Sequence, residues 1–231
     1  MIPVLLNYTT KSEQTHSRRV VAQDFIGCGR SDKRRQDVAY NFDLHRDAMV
    51  DFIESLNLTN ITLIVQDCGG LLGLTLPITD PRRFKPPSEV VPGKDEQSWT
   101  GSHTHPPRPT PDVADLMDKL GHHLSEDERR AYRARFPDDT YKGGVRRFPR
   151  MIMIEEDMPD VGISKKSRHS LETTGTLVKD AVFVACGMQD PILGPHMKSL
   201  ARVFRNGCHC AEIEDALHFV QVKSRSWRLR S

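Results

Sequence analysis

The clearest pattern in the chain is the run Ile61-Thr-Leu-Ile-Val-Gln-Asp67-Cys-Gly-Gly70, in which apolar, β-prone positions stop abruptly on a carboxylate followed by two glycines. It predicts a strand buried on both faces, a tight turn at Asp67, and a helix opening at Leu71 that packs behind the strand. Two further apolar runs read the same way. Val20-Val-Ala-Gln-Asp-Phe25 leads into the glycine-rich stretch Gly27-Cys-Gly-Arg-Ser-Asp32, and Ala181-Val-Phe-Val-Ala-Cys186 leads through Gly187-Met-Gln to Asp190. Glu212-Ile-Glu-Asp-Ala-Leu-His218 reads as a last strand and a loop that presents a histidine. Between the first two runs, Leu44, Ala48, Met49, Phe52, Ile53 and Leu56 recur at helical spacing, with Asp43 as the expected N-cap. Strands separated by helical patterns imply an α/β fold with a mostly parallel sheet flanked by helices.

The pattern breaks after Phe84. Lys85 to Pro111 is rich in proline and histidine, and prolines 86, 87 and 92 would block ladder hydrogen bonds, so an irregular loop is expected there. Beyond it, Val113 to Leu124 and a helix opening at Ser125, with capping-box spacing to Glu128, suggest a helical lid. The expected division is therefore residues 1–85 as a first part of the core, 86–180 as loop plus lid, and 181–231 as the rest of the core.

Composition narrows the classes. Hydrophobic residues make up 37% and charged ones 28% of 231 residues, a lean apolar content for one α/β domain. The 33 basic and 31 acidic residues are mostly interspersed, which gives no case for nucleic acid or a membrane surface as partner. No stretch approaches the ~20 apolar residues of a membrane span, and the start of the chain lacks a signal-peptide core. Five cysteines without a paired framework fit reduced thiols in a cytoplasmic setting. The one close ligand spacing is Cys208-His-Cys210, and neither a metal nor a cofactor is expected.

The quoted motifs carry a resemblance. Asp24-Phe-Ile-Gly-Cys-Gly-Arg-Ser-Asp32, Val65-Gln-Asp67-Cys-Gly-Gly70, Gly187-Met-Gln-Asp190 and His218-Phe-Val-Gln221 together resemble the haloalkane dehalogenases of the α/β-hydrolase superfamily, in the superfamily's order of nucleophile, acid and histidine. The resemblance implies an α/β-hydrolase fold with a helical lid and a catalytic trio of Asp67, Asp190 and His218. A small halogenated apolar substrate and water would be the partners, with detoxification as the role of a monomeric enzyme. Asp67 would displace halide to form an alkyl-enzyme ester, and His218, held by Asp190, would activate the water that hydrolyses it. Cys68 falls where these enzymes place a halide-binding tryptophan, and its backbone N–H would be one oxyanion donor. Trp99 lies near the place of the family's lid tryptophan, or is an isolated loop aromatic; Phe148 and Pro149 would line the substrate cavity, or Phe148 is simply core.

The chain also departs from the pattern at its N-terminus, at Cys68, at Lys85 to Pro111 and after Gln221. Met1 to Asn7 resembles the end of the family's first core helix, so the strand that ordinarily separates Val20–Phe25 from Ile61–Val65, and the His-Gly-x-Pro loop after it, would be missing. Those two strands would then pair directly or leave unsatisfied edges, with negligible halide release. The alternatives are a non-catalytic truncated relative, or an epoxide hydrolase with the same trio and Tyr132 or Tyr141 as proton donor. The phosphate-loop reading of Gly27 to Asp32 lacks a third glycine and a Gly-Lys-Ser.

Overall fold

The structure is a computed structural model and describes residues 5–9, 18–84, 110–121, 123–152, 158, 161–173, 182–194, 197–204 and 208–220. Its first sheet corrects the expectation of a gap. Strand β1 (Leu5–Thr9) lies between β2 (Arg18–Ala22) and β3 (Ile61–Ile64) and is antiparallel to both. Leu6 stands opposite Val21 on one side and Leu63 on the other. Leu5–Thr9 is thus a strand and not the end of a helix. Only residues 10–17 separate β1 from β2. A connection that short joins antiparallel neighbours, whereas a parallel pair needs a crossover of a dozen or more residues. With β1 inserted, β2 and β3 still run parallel to each other, and each gains a ladder partner for an edge that would otherwise be costly to bury.

Helix α1 (Phe42–Ser55) turns Phe42, His45, Met49 and Ile53 into the core. Its cap is Asn41, whose side chain accepts from the Leu44 N–H at 2.8 Å. The expected cap, Asp43, sits inside the first turn, because the extended backbone that a cap requires occurs at residue 41. Leu56, expected on the apolar stripe, is 44% exposed. After β3 come the short helices α2 (Cys68–Gly73) and α3 (Leu76–Thr79), and an isolated parallel bridge then pairs Phe84 with Ile61.

The lid region contains α4 (Val113–Lys119), α5 (Glu126–Arg133) and α6 (Gly143–Arg147), followed by α7 (Val161–Thr173). Ser125 and Glu128 form the expected reciprocal capping box of α5. Buried Arg146 fastens α6 to the core. Its guanidinium makes two bonds to Asp37, at 2.7 and 2.6 Å, and one each to the Thr110 hydroxyl and the Asp139 carbonyl. Gly27 and Gly144 let the two backbones touch: a Cβ on Gly27, at φ +87°, would stand 3.1 Å from the Gly144 Cα.

The second sheet pairs β4 (Phe183–Gly187) in parallel with β5 (His209–Ile213), and α8 (Met197–Ala201) lies between them in sequence. One apolar cluster unites both sheets, with Ile61, Leu63, Val65 and Leu72 from the first half, Val184 and Cys186 from the second, and Phe148 from the lid. Each such side chain, fully buried, contributes about 1.5–3 kcal/mol.

Candidate active site

Asp67 sits where β3 gives way to α2, with φ 50° and ψ −129°. A non-glycine residue held there stores about 1–3 kcal/mol of strain and persists only where its surroundings over-determine it. They do so through the backbone. Gly69 N–H donates to the Gln66 carbonyl at 2.9 Å, and Gly70 and Leu71 N–H donate to the Asp67 carbonyl at 2.7 and 3.2 Å. The Asp67 side chain makes no capping bond to the helix it starts.

Asp190 and His218 reach the same place from the second sheet. Met188 and Gln189 N–H bond to the carbonyls of Ile213 and Ala216, both at 3.0 Å, which stitches the acid-bearing turn to the histidine loop. The Asp190 carboxylate accepts the Ile192 N–H at 2.8 Å, and its other oxygen lies 3.0 Å from His218 Nδ1. With that proton donated to Asp190, His218 Nε2 faces Asp67, 3.9 Å from its Oδ2. The side chains of His218 and Asp190 are 2% and 5% exposed, against 32% for Asp67. Burial pushes the His218 pKa down, but the hydrogen bond to Asp190 and the charges of Asp67 and Asp190 outweigh it and leave the value raised. Burial likewise opposes ionisation of Asp190, yet the His218 bond and backbone donors hold its pKa below the ordinary value.

A cavity of about 450 Å³ opens on Asp67 and His218, with Phe148, Pro149 and Cys68 also in its wall. Tyr132 is also in the wall, whereas Tyr141 is outside the lining and 37% exposed. Trp99 lies outside the described residues. The lid contributes Val113, Leu116, Met117 and Leu120, which sequence reasoning left unassigned although their i, i+3, i+4, i+7 spacing marks one helix face. Asp24, Phe25 and Gln66 were equally unassigned. A second cavity, of about 340 Å³, lies toward α7 and α8 and shares Asp67, Cys68 and Ile152 with the first. Among the described residues no three His, Cys, Asp or Glu side chains converge as a metal-binding group. Cys208 directs its thiol to the Ala201 carbonyl, and Cys210 stands 3.5 Å from the Cys186 sulfur.

Strand, strained elbow, acid turn and histidine loop in this order define an α/β hydrolase, and the α/β hydrolase fold family matches residues 9–86. More narrowly, the chain belongs to the haloalkane dehalogenase family. It is 32% identical over 186 residues to a haloalkane dehalogenase of Mycolicibacterium paratuberculosis, covering 76% of this chain and 60% of that one. A haloalkane dehalogenase of Psychrobacter cryohalolentis is 32% identical over 168 residues, 69% of this chain and 52% of its own. Among solved structures, the haloalkane dehalogenase DpaA of Paraglaciecola agarilytica NO2, described as tetrameric, superposes with a TM-score of 0.75 at 31% identity. That match covers 93% of this chain and 76% of the other. The chain therefore spans only 52 to 60% of the length of the first curated relatives it matches.

Proposed function

We propose that the protein hydrolyses small apolar haloalkanes through an ester of Asp67. The Asp67 carboxylate attacks the halogen-bearing carbon from the side opposite the halogen, forming a C–O bond as the carbon–halogen bond breaks and halide leaves with the bonding pair. His218 Nε2 then takes a proton from water, whose oxygen attacks the ester carbonyl. As the intermediate collapses, its hydroxyl proton goes to the departing alkoxide, which leaves as the alcohol and restores the Asp67 carboxylate; the proton on His218, whose imidazolium Asp190 stabilises meanwhile, passes to solvent. A serine would not serve, because an alkyl carbon offers no carbonyl to attack, whereas an ionised carboxylate is already a competent nucleophile. The scheme uses no cofactor.

One observation carries the reading: Asp67, His218 and Asp190 stand in series, at 3.9 and 3.0 Å, with Asp67 and His218 on the wall of an apolar cavity and Asp190 behind the histidine. The test is single-turnover mass spectrometry with 1,2-dibromoethane. Wild type should gain and then lose the mass of a bromoethyl group, Asp67→Asn should gain none, and His218→Phe should keep it. No adduct in wild type would refute the proposal and favour a non-catalytic relative. Cys68 supports that second reading, since a thiol is a weaker hydrogen-bond donor to halide than an indole. Tyr132 in the cavity wall keeps an epoxide substrate in view, to be compared in the same assay. A monomer is proposed as the working unit, and light scattering should return a single-chain mass.

A further inference from the structure

The nucleophile and its partners come from different sheets. Asp67 follows β3, in the sheet ordered β2-β1-β3, while Asp190 and His218 follow β4 and β5 in the other. The Asp190–His218 spacing is therefore built into one sheet and its loops. Gly187 tightens it further, since a Cβ there would lie 2.4 Å from the Leu217 carbonyl oxygen. No strand ladder among the described residues joins the two sheets, and Asp67 and His218 face each other across 3.9 Å between them.

Gln66 bridges that seam. It directly precedes Asp67, is 8% exposed, and donates its side-chain amide Nε2–H to the carbonyl oxygen of His218 at 2.5 Å, across 152 residues of chain. Its own carbonyl accepts the Gly69 N–H that closes the elbow. One residue thus holds the nucleophile's turn by its backbone and the histidine's backbone by its side chain. We infer that Gln66 is a positioning residue that sets the separation of Asp67 and His218, and so governs the water-activated half of the reaction. The inference rests on the ester mechanism proposed above. A buried amide that merely satisfied a core carbonyl would affect stability alone. A strut between the two catalytic groups affects the two chemical steps unequally, because ester formation needs only Asp67, whereas ester hydrolysis needs His218 within reach of a water at the ester.

The test is Gln66→Met, which keeps the side chain's length and removes its donor. In single turnover with 1,2-dibromoethane, ester formation should stay within about threefold of wild type, and ester hydrolysis should fall roughly ten- to a hundredfold, the scale on which a displacement of about 1 Å costs rate. The adduct would then accumulate. Equal loss in both steps, or loss in neither, would overturn the inference. A second readout needs no turnover: with labelled histidine and His218→Asn to assign the resonance, NMR should show the His218 titration moving down toward the ordinary histidine range in Gln66→Met, as the ring loses its fixed place beside Asp67. An unmoved titration would overturn the inference even if wild type forms no ester, an outcome that would by itself refute only the proposed function. Should Gln66→Met fail to fold, Gln66→Glu takes its place in both readouts. Glutamate donates only while protonated, so its ester hydrolysis should rise as pH falls where that of wild type declines, and a profile parallel to wild type would count against the strut.

Discussion

His45 offers the sharpest test of the packing. It projects from α1 into a box of aromatic rings, with the centroid of Phe148 at 4.6 Å, Phe25 at 5.7 Å and Tyr40 at 6.2 Å. It is 1% exposed, and neither ring nitrogen has a hydrogen-bond partner among the described residues. Burial, aided by the charge of Arg34, lowers its pKa from 6.5 to about 4. The folded state thus binds this proton less tightly than the unfolded chain does, so protonation favours unfolding. The contribution to stability is full above pH 6.5 and is lost as pH falls toward about 4. At about 1.4 kcal/mol per pKa unit the whole loss is about 3 kcal/mol, of which about 2 is gone by pH 5. Set against a typical total of about 5–15 kcal/mol, that is a large fraction. Two other groups near the site act elsewhere. Asp190, with its lowered pKa, loses its contribution only at more acid pH, and His218, with its raised pKa, contributes below the ordinary histidine range and loses that contribution as pH rises. Urea unfolding at pH 7.5 and pH 5, in wild type and in His45→Phe, isolates the effect. The phenylalanine keeps a ring in the box and cannot be protonated, so its stability should fall by about 2 kcal/mol less between the two pH values than that of wild type. Equal losses in the two proteins would show that His45 is not the neutral, buried group described.

Three further outcomes are expected. Leu6→Pro removes a ladder donor from the central strand of the first sheet and should cost about 1–3 kcal/mol for the acceptor it orphans, read as a lower melting temperature; an unchanged value would mean that β1 does not hold β2 and β3 together. Arg146→Met should destabilise by about 3 kcal/mol, the low end for a broken buried pair because Asp37 stays 25% exposed, and adding Asp37→Ala should recover part of the loss in the same unfolding assay. Cys68→Trp should tighten chloride and bromide binding roughly ten- to a hundredfold, the worth of one good hydrogen bond to a charged group, as measured by tryptophan fluorescence titration. The two cavities that share Cys68 leave room for the indole, and no change in halide affinity would mean that its N–H does not reach the halide.

The features legible from the chain alone are those that a few neighbouring residues decide. Ser125 and Glu128 specify a cap because both partners lie within one turn. The run from Ile61 to Gly70 specifies strand, elbow and helix because burial, the turn and the glycines are consecutive. The order of Asp67, Asp190 and His218 was likewise readable, since order along the chain is a property of the sequence. Their separations were not, because they depend on how two sheets dock. The tertiary structure also decided what fills the space between β2 and β3. Leu5 to Thr9 has no local signal that distinguishes a helix end from a strand, and it becomes a strand because two edges there need backbone partners. The choice of Tyr132 over Tyr141 for the cavity wall and the bond from Gln66 to His218 are likewise tertiary. Each depends on a contact between segments far apart in sequence, and neither the period nor the spacing of residues within one segment encodes it.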